Sequence, residues 1–138
     1  MFSLLIITLR AVGMTKKVLF FLLFLGCSLT EGYAMGIDYS VEEAHALIGD
    51  DAIVWLDIRE KGELVSLPKL DVARHLPLSH FKAGFARLNI DRETRIFLIC
   101  RSGNRSKRLQ KTLLKEGYIN TVNILGGMRA WRKKYPRN

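Results

Sequence analysis

The sequence predicts an α/β domain in which a central, mostly parallel sheet carries helices on both faces. Two observations point there. Short apolar runs, Ala52–Leu56 and Ile96–Cys100, have strand length and no polar alternation, as strands covered on both sides require. Stretches with helical spacing of apolar residues alternate with these runs, the order that yields parallel strands joined by crossover helices.

Taken along the chain, Ser40 and Glu43 form a capping-box pattern opening a short helix through Ala44, Leu47 and Ile48 that stops at Gly49. Ala52–Leu56 is the first buried strand, and Asp57 stands at its end. Ala73–Leu78 reads as a second short strand, followed by a helix over Ser79–Leu88 with Phe81, Phe85 and Leu88 on one side. Arg95–Cys100 is the clearest buried strand. A polar turn leads to a helix over Ser106–Glu116, with Leu109, Leu113 and Leu114 at helical spacing and Gly117 as its stop. Thr121–Leu125 is a further strand closed by Gly126 and Gly127, and Met128–Tyr135 reads as a final basic helix carrying Ala130 and Trp131.

The N-terminal 34 residues follow a different grammar. A basic stretch, Met14–Lys17, precedes apolar Val18–Cys27 and then Gly32-Tyr33-Ala34, with small residues on either side of Tyr33, the pattern of a secretory signal. The longest uncharged run there, Val18–Thr30, has 13 residues, whereas a span of the hydrocarbon core needs about 20. Met1–Gly13 adds a second apolar piece broken by Arg10, which makes Met14 a candidate start. Phe24–Cys27 loosely resembles a lipoprotein box, but phenylalanine stands where leucine is usual. Soluble export is therefore favoured over lipid anchoring through Cys27. The expected organisation is a targeting segment over 1–34 and one domain over 35–138, periplasmic or secreted.

Composition narrows the chemistry. Of 138 residues, 49% are hydrophobic and 25% charged, an ordinary globular balance that excludes disorder and low-complexity classes. Two cysteines and three histidines, without ligand-like spacing, call for neither a disulfide framework nor a zinc site. Without residues 1–34, which hold three Lys/Arg and one acid, the charge of +9 becomes +7, and Cys100 is the one cysteine left. A lone cysteine in an oxidising compartment is either an inert core thiol or a reactive one.

Its neighbours favour the reactive reading. Cys100-Arg101-Ser102-Gly103-Asn104-Arg105-Ser106 joins a buried strand to a helix, with a glycine for tight folding and small polar side chains that leave backbone N–H groups free. Such a loop cradles an anion, and a thiol at its rim is expected to have a lowered pKa from the N–H groups, the helix N-terminus and two arginines. Cysteine phosphatases use a similar strand-loop-helix with an arginine six residues after the cysteine. Here that position is Ser106 and the arginine, Arg105, comes one residue early. The smaller loop suits a persulfide sulfur better than a tetrahedral phosphate.

Four segments together resemble the single-domain rhodanese family of thiosulfate-type sulfurtransferases. Val54–Glu60, followed by Glu63, is similar to its Asp-x-Arg segment with a downstream acid, and Ala73–Pro77 to its Ala-x-Asn-Ile-Pro segment. Cys100–Ser106 matches the active loop with its following serine, and Leu125–Trp131 the closing Gly-Gly-x-x-Ala-Trp. Pro68–Ala73 departs from the usual Gly-His-Ile-x-Gly-Ala, with one extra residue.

The resemblance implies a rhodanese-like α/β fold and a two-step exchange. Cys100 takes sulfur from a small anionic donor such as thiosulfate and passes it to a thiol or cyanide. Arg101 and Arg105 would orient the donor's oxygens, the backbone from Arg101 through Ser102, Gly103, Asn104 and Arg105 to Ser106 would hold the transferred sulfur, and Ser106 would cap the helix or donate to the sulfur. Asp57 and Arg59 are read as supporting residues, with Asp57 either ordering the cysteine loop by accepting backbone N–H bonds or pairing with Arg59, rather than as an acid-base pair. A persulfide carrier that docks a protein partner is the alternative. No cofactor and no metal is assigned. Export argues against a nucleic-acid partner for Arg129–Lys134, leaving a solvated face or peripheral membrane contact, and the oligomeric state is left open.

Overall fold

A computed structural model of the chain describes residues 36–136. The expectations for residues 1–34, including the signal, Met14 and Cys27, lie outside the described residues. Five parallel strands form one sheet in the order β1-β5-β4-β2-β3, with β1 at Ile37–Tyr39, β2 at Ile53–Asp57, β3 at Arg74–His75, β4 at Arg95–Ile99 and β5 at Thr121–Ile124. The helices are α1 (Val41–His45), α2 (Glu63–Ser66), α3 (Phe81–Leu88), α4 (Asn104–Lys115) and α5 (Gly127–Lys134), with a 3-10 turn at Leu78–His80.

Successive residues of a strand point to opposite faces, and the two cores follow from that. Ile53, Trp55, Phe97, Ile99, Val122 and Ile124 pack under α1 and α5 with Val41, Ala44, Met128 and Trp131. Leu56, Ile58, Ile96 and Leu98 pack on the other face with Phe81 and Phe85 of α3 and Leu109 and Leu113 of α4. Helices thus cover both faces, and the continuous apolar runs of β2 and β4 are explained. Trp55 and Trp131, both buried, meet edge-to-face with centroids 6.0 Å apart.

The element boundaries differ from the sequence expectation in several places; the first helix, for one, ends at His45 and not at Ile48. β1 was not expected: it is an edge strand with Ile37 exposed, so burial writes no apolar run into it. α2 is a single turn without a buried residue. The expected strand over Ala73–Leu78 contracts to Arg74–His75, because the chain turns at Pro77 into the 3-10 turn that precedes α3. α4 begins at Asn104, two residues before the expected Ser106, because Gly103 in a left-handed conformation serves as its N-cap. The unusual 68–73 segment is anchored by buried Leu70 and Ala73, whose backbones form a turn (Ala73 N–H to Leu70 O, 3.0 Å).

Candidate active site

In open parallel sheets, the ligand crevice lies beyond the carboxyl ends of the strands. Cys100 directly follows central β4, and Asp57, the last residue of β2, pairs in register with Ile99. The sheet therefore delivers both residues to one edge of the domain.

The loop after β4 is shaped by three close approaches. Gly103 has φ +89 and caps α4, so the axis of the 12-residue helix starts at the loop. Cys100 Sγ accepts a hydrogen bond from the Gly103 N–H at 3.2 Å, and Ser106 Oγ lies 3.3 Å from the same sulfur. From the other side, α5 is stapled on: Met128 N–H donates to Cys100 O at 2.8 Å and Arg129 N–H to Arg101 O at 3.1 Å. Gly127, at φ +56, makes this possible, since a Cβ there would collide with the Cys100 carbonyl oxygen and the Gly103 nitrogen.

Burial pushes the Cys100 thiol up, but hydrogen bonds from the Ser106 hydroxyl and from the backbone N–H groups of Ser106, Ser102 and Gly103 outweigh it. The thiol accordingly lies below its ordinary value of 9.0. Hydrogen bonds from the loop and Ser106 lead this stabilisation. Arg105 is engaged elsewhere: its Nη1 and Nη2 donate to Glu63 Oε2 and Oε1 at 2.8 and 2.7 Å. Both of its terminal nitrogens thus grip a carboxylate. Arg101, Ser102 and Asn104 are exposed on the rim. Ser106 is not the helix cap, which is Gly103; it sits in the first turn of α4, with Oγ also 2.6 Å from Asn123 Oδ1.

Asp57 and Arg59 pair with each other, fully buried. Arg59 Nε donates to Asp57 Oδ1 and Oδ2 at 2.9 and 3.0 Å, Nη2 to Oδ2 at 2.5 Å, and Nη1 to Leu67 O at 2.6 Å. The Arg59 N–H also donates to Asp57 Oδ1 at 3.1 Å. The ion pair expected from the sequence thus occurs, whereas the backbone N–H that Asp57 accepts belongs to Arg59 in its own segment and not to the Cys100 loop.

Sequence reasoning passed over Asn123 and Gly127 as site residues, and cited Glu63 without its partner. For Asn123 there was a signal: a polar residue inside the strand-like run Thr121–Leu125. For the Glu63–Arg105 contact there was none, since the two residues are 42 positions apart.

Residues 40–134 match the rhodanese-like domain family. The chain belongs to this family. Over 85 residues, 62% of this chain and 44% of the relative, it is 34% identical to YrkF, a putative sulfur carrier protein of Bacillus subtilis (strain 168). Over 108 residues, 74% of this chain and 27% of the relative, it is 32% identical to the adenylyltransferase and sulfurtransferase uba4 of Ogataea parapolymorpha. The rhodanese-like chain spans less than half the length of these two curated relatives. Among solved structures, the polysulfide-sulfur transferase homodimer of Wolinella succinogenes matches with a TM-score of 0.64 at 24% identity, over 75% of this chain and 77% of that one. At that identity the likeness speaks for the fold.

Proposed function

We propose that the protein is a sulfurtransferase that carries sulfane sulfur as a persulfide on Cys100, with thiosulfate or a related anion as donor. The observation behind this reading is the Cys100 sulfur set at the N-terminus of α4, held by the Gly103 N–H and within reach of the Ser106 hydroxyl. In the first step the Cys100 thiolate attacks the outer sulfur of thiosulfate. A new S–S bond forms, the old one breaks, and sulfite leaves with the electron pair. In the second step an acceptor thiolate or cyanide attacks the outer sulfur of the persulfide, and the Cys100 thiolate is released. Neither step needs a proton shuttle, which agrees with a structural role for Asp57. The loop amides between Arg101 and Ser106 serve as donors to the transferred sulfur, and Arg101 attracts the anionic donor.

A persulfide carrier with little turnover is the second reading, favoured by the relative described as a putative sulfur carrier. Incubation with thiosulfate and cyanide, with Cys100→Ala as control, separates the two. Thiocyanate formation lost in C100A supports the transferase. A gain of one sulfur on Cys100 without turnover supports the carrier, and a wild type that shows neither result overturns sulfur transfer. Export to the periplasm or beyond remains part of the proposal, resting on the sequence of residues 1–34.

A further inference from the structure

Next to the loop lies a cavity of about 460 Å³ lined by Arg59, Glu63, Ser66, Leu67, Arg101 and Arg129, together with Gly62. Its size falls in the range of sites for small organic ligands, roughly 300–1,000 Å³, and exceeds what an inorganic sulfur oxyanion needs. The charges in its wall are unevenly satisfied. Arg59 is taken by Asp57 and the Leu67 carbonyl. Glu63, the acid in the wall, is held by Arg105 from outside it. Arg101 and Arg129 are exposed and make no ion pair with a described residue. The bond from Arg129 N–H to Arg101 O fixes the two backbones side by side. The cavity therefore presents two uncommitted guanidinium groups beside a hydroxyl, Ser66, and an apolar patch, Leu67.

Resting on the sulfur-transfer reading, we infer that this cavity binds the body of a low-molecular-weight organic thiol bearing carboxylate, and that Arg129, with Arg101, selects it over neutral thiols. Guanidinium groups match carboxylates in geometry and charge. With the carboxylate held by Arg129, the thiolate end is directed toward the loop. There it attacks the outer sulfur of the Cys100 persulfide: the acceptor S–S bond forms, the cysteine S–S bond breaks, and the electron pair returns to Cys100. Arg129 thus acts through substrate position, although in the sequence it is one of several charges on a basic helix.

The test uses protein persulfidated with thiosulfate or polysulfide, its sulfur loading read by intact mass. Discharge is timed with mercaptosuccinate and with 2-mercaptoethanol at equal thiolate concentration. The wild type is expected to prefer mercaptosuccinate by about tenfold, the worth of one charge-assisted contact. In Arg129→Gln the ratio falls toward one, Arg129→Lys keeps part of it, and Lys133→Gln, which removes an exposed charge from the same helix, keeps all of it. A wild-type ratio near one, or an equal fall in R129Q and K133Q, overturns the inference and leaves sulfur transfer standing. Discharge by a protein thiol but by neither small thiol also overturns it. If Cys100 takes up no sulfur from either donor, the sulfur-transfer reading fails, and the inference with it.

Discussion

Glu63 grips Arg105 with both carboxylate oxygens, tying the one-turn helix α2 to the first turn of α4 across 42 residues of sequence. Arg105, first of all, holds the Glu63 carboxyl at about 2, well below its ordinary 4.5. Since the carboxyl is depressed in the fold, the clamp contributes fully above about pH 4.5 and is lost as the pH falls toward 2. Urea denaturation of wild type and Glu63→Gln should differ by about 0.5–1 kcal/mol at pH 7, as for a partly exposed ion pair, and converge on acidification. A difference independent of pH would contradict this.

The Ser106 hydroxyl carries one hydrogen but lies near three acceptors: Cys100 Sγ, Gly103 O and, closest, Asn123 Oδ1. A hydroxyl can serve one of them at a time. Replacing Ser106 with Ala removes a group that holds the thiol down. The pH midpoint of Cys100 alkylation by iodoacetamide is therefore expected below the ordinary thiol value in the wild type and higher in S106A. Coincident midpoints would show that the backbone amides alone set the thiol.

Gly127→Ala places a methyl group against the Cys100 carbonyl and the Gly103 nitrogen, both backbone, at a positive φ that L residues rarely adopt. The backbone has nowhere to move without breaking the staple. A loss of roughly 2–4 kcal/mol in chemical denaturation is expected, with persulfide formation falling in the fraction that folds. Gly62→Ala, where added carbon meets nothing within 4 Å, is the control.

Asp57→Ala leaves the Arg59 charge buried and uncompensated, a loss of about 3–5 kcal/mol. Replacing both partners with apolar residues of similar volume should cost much less than removing Asp57 alone. A double variant as unstable as D57A would place the loss in something other than the unpaired charge, as thermal or urea unfolding can show.

How much of this was legible in the sequence depends on where each residue's partners lie. Ile96–Cys100 could be read because a strand buried on both faces must be apolar throughout, and Cys100 because its local Arg-Ser-Gly-Asn-Arg-Ser run is unsuited to an inert core thiol. The Asp57–Arg59 pair spans two residues and was among the arrangements foreseen. The engagement of Arg105 with Glu63 was not, because nothing in a local charge pattern says which distant carboxylate the fold brings near. β1 escaped for another reason: an exposed edge strand is held by backbone bonds to β5, which any side chain permits.

The two amides that α5 extends to the carbonyls of Cys100 and Arg101 also set a timetable. Cys100 leaves the ribosome well before the residues that shape its surroundings, since Gly127, Met128 and Arg129 follow it by more than twenty positions. Until that last helix docks, two of the loop's carbonyls lack their partners. A nascent chain therefore exposes a cysteine not yet held by this staple, and its activated form belongs to the finished fold.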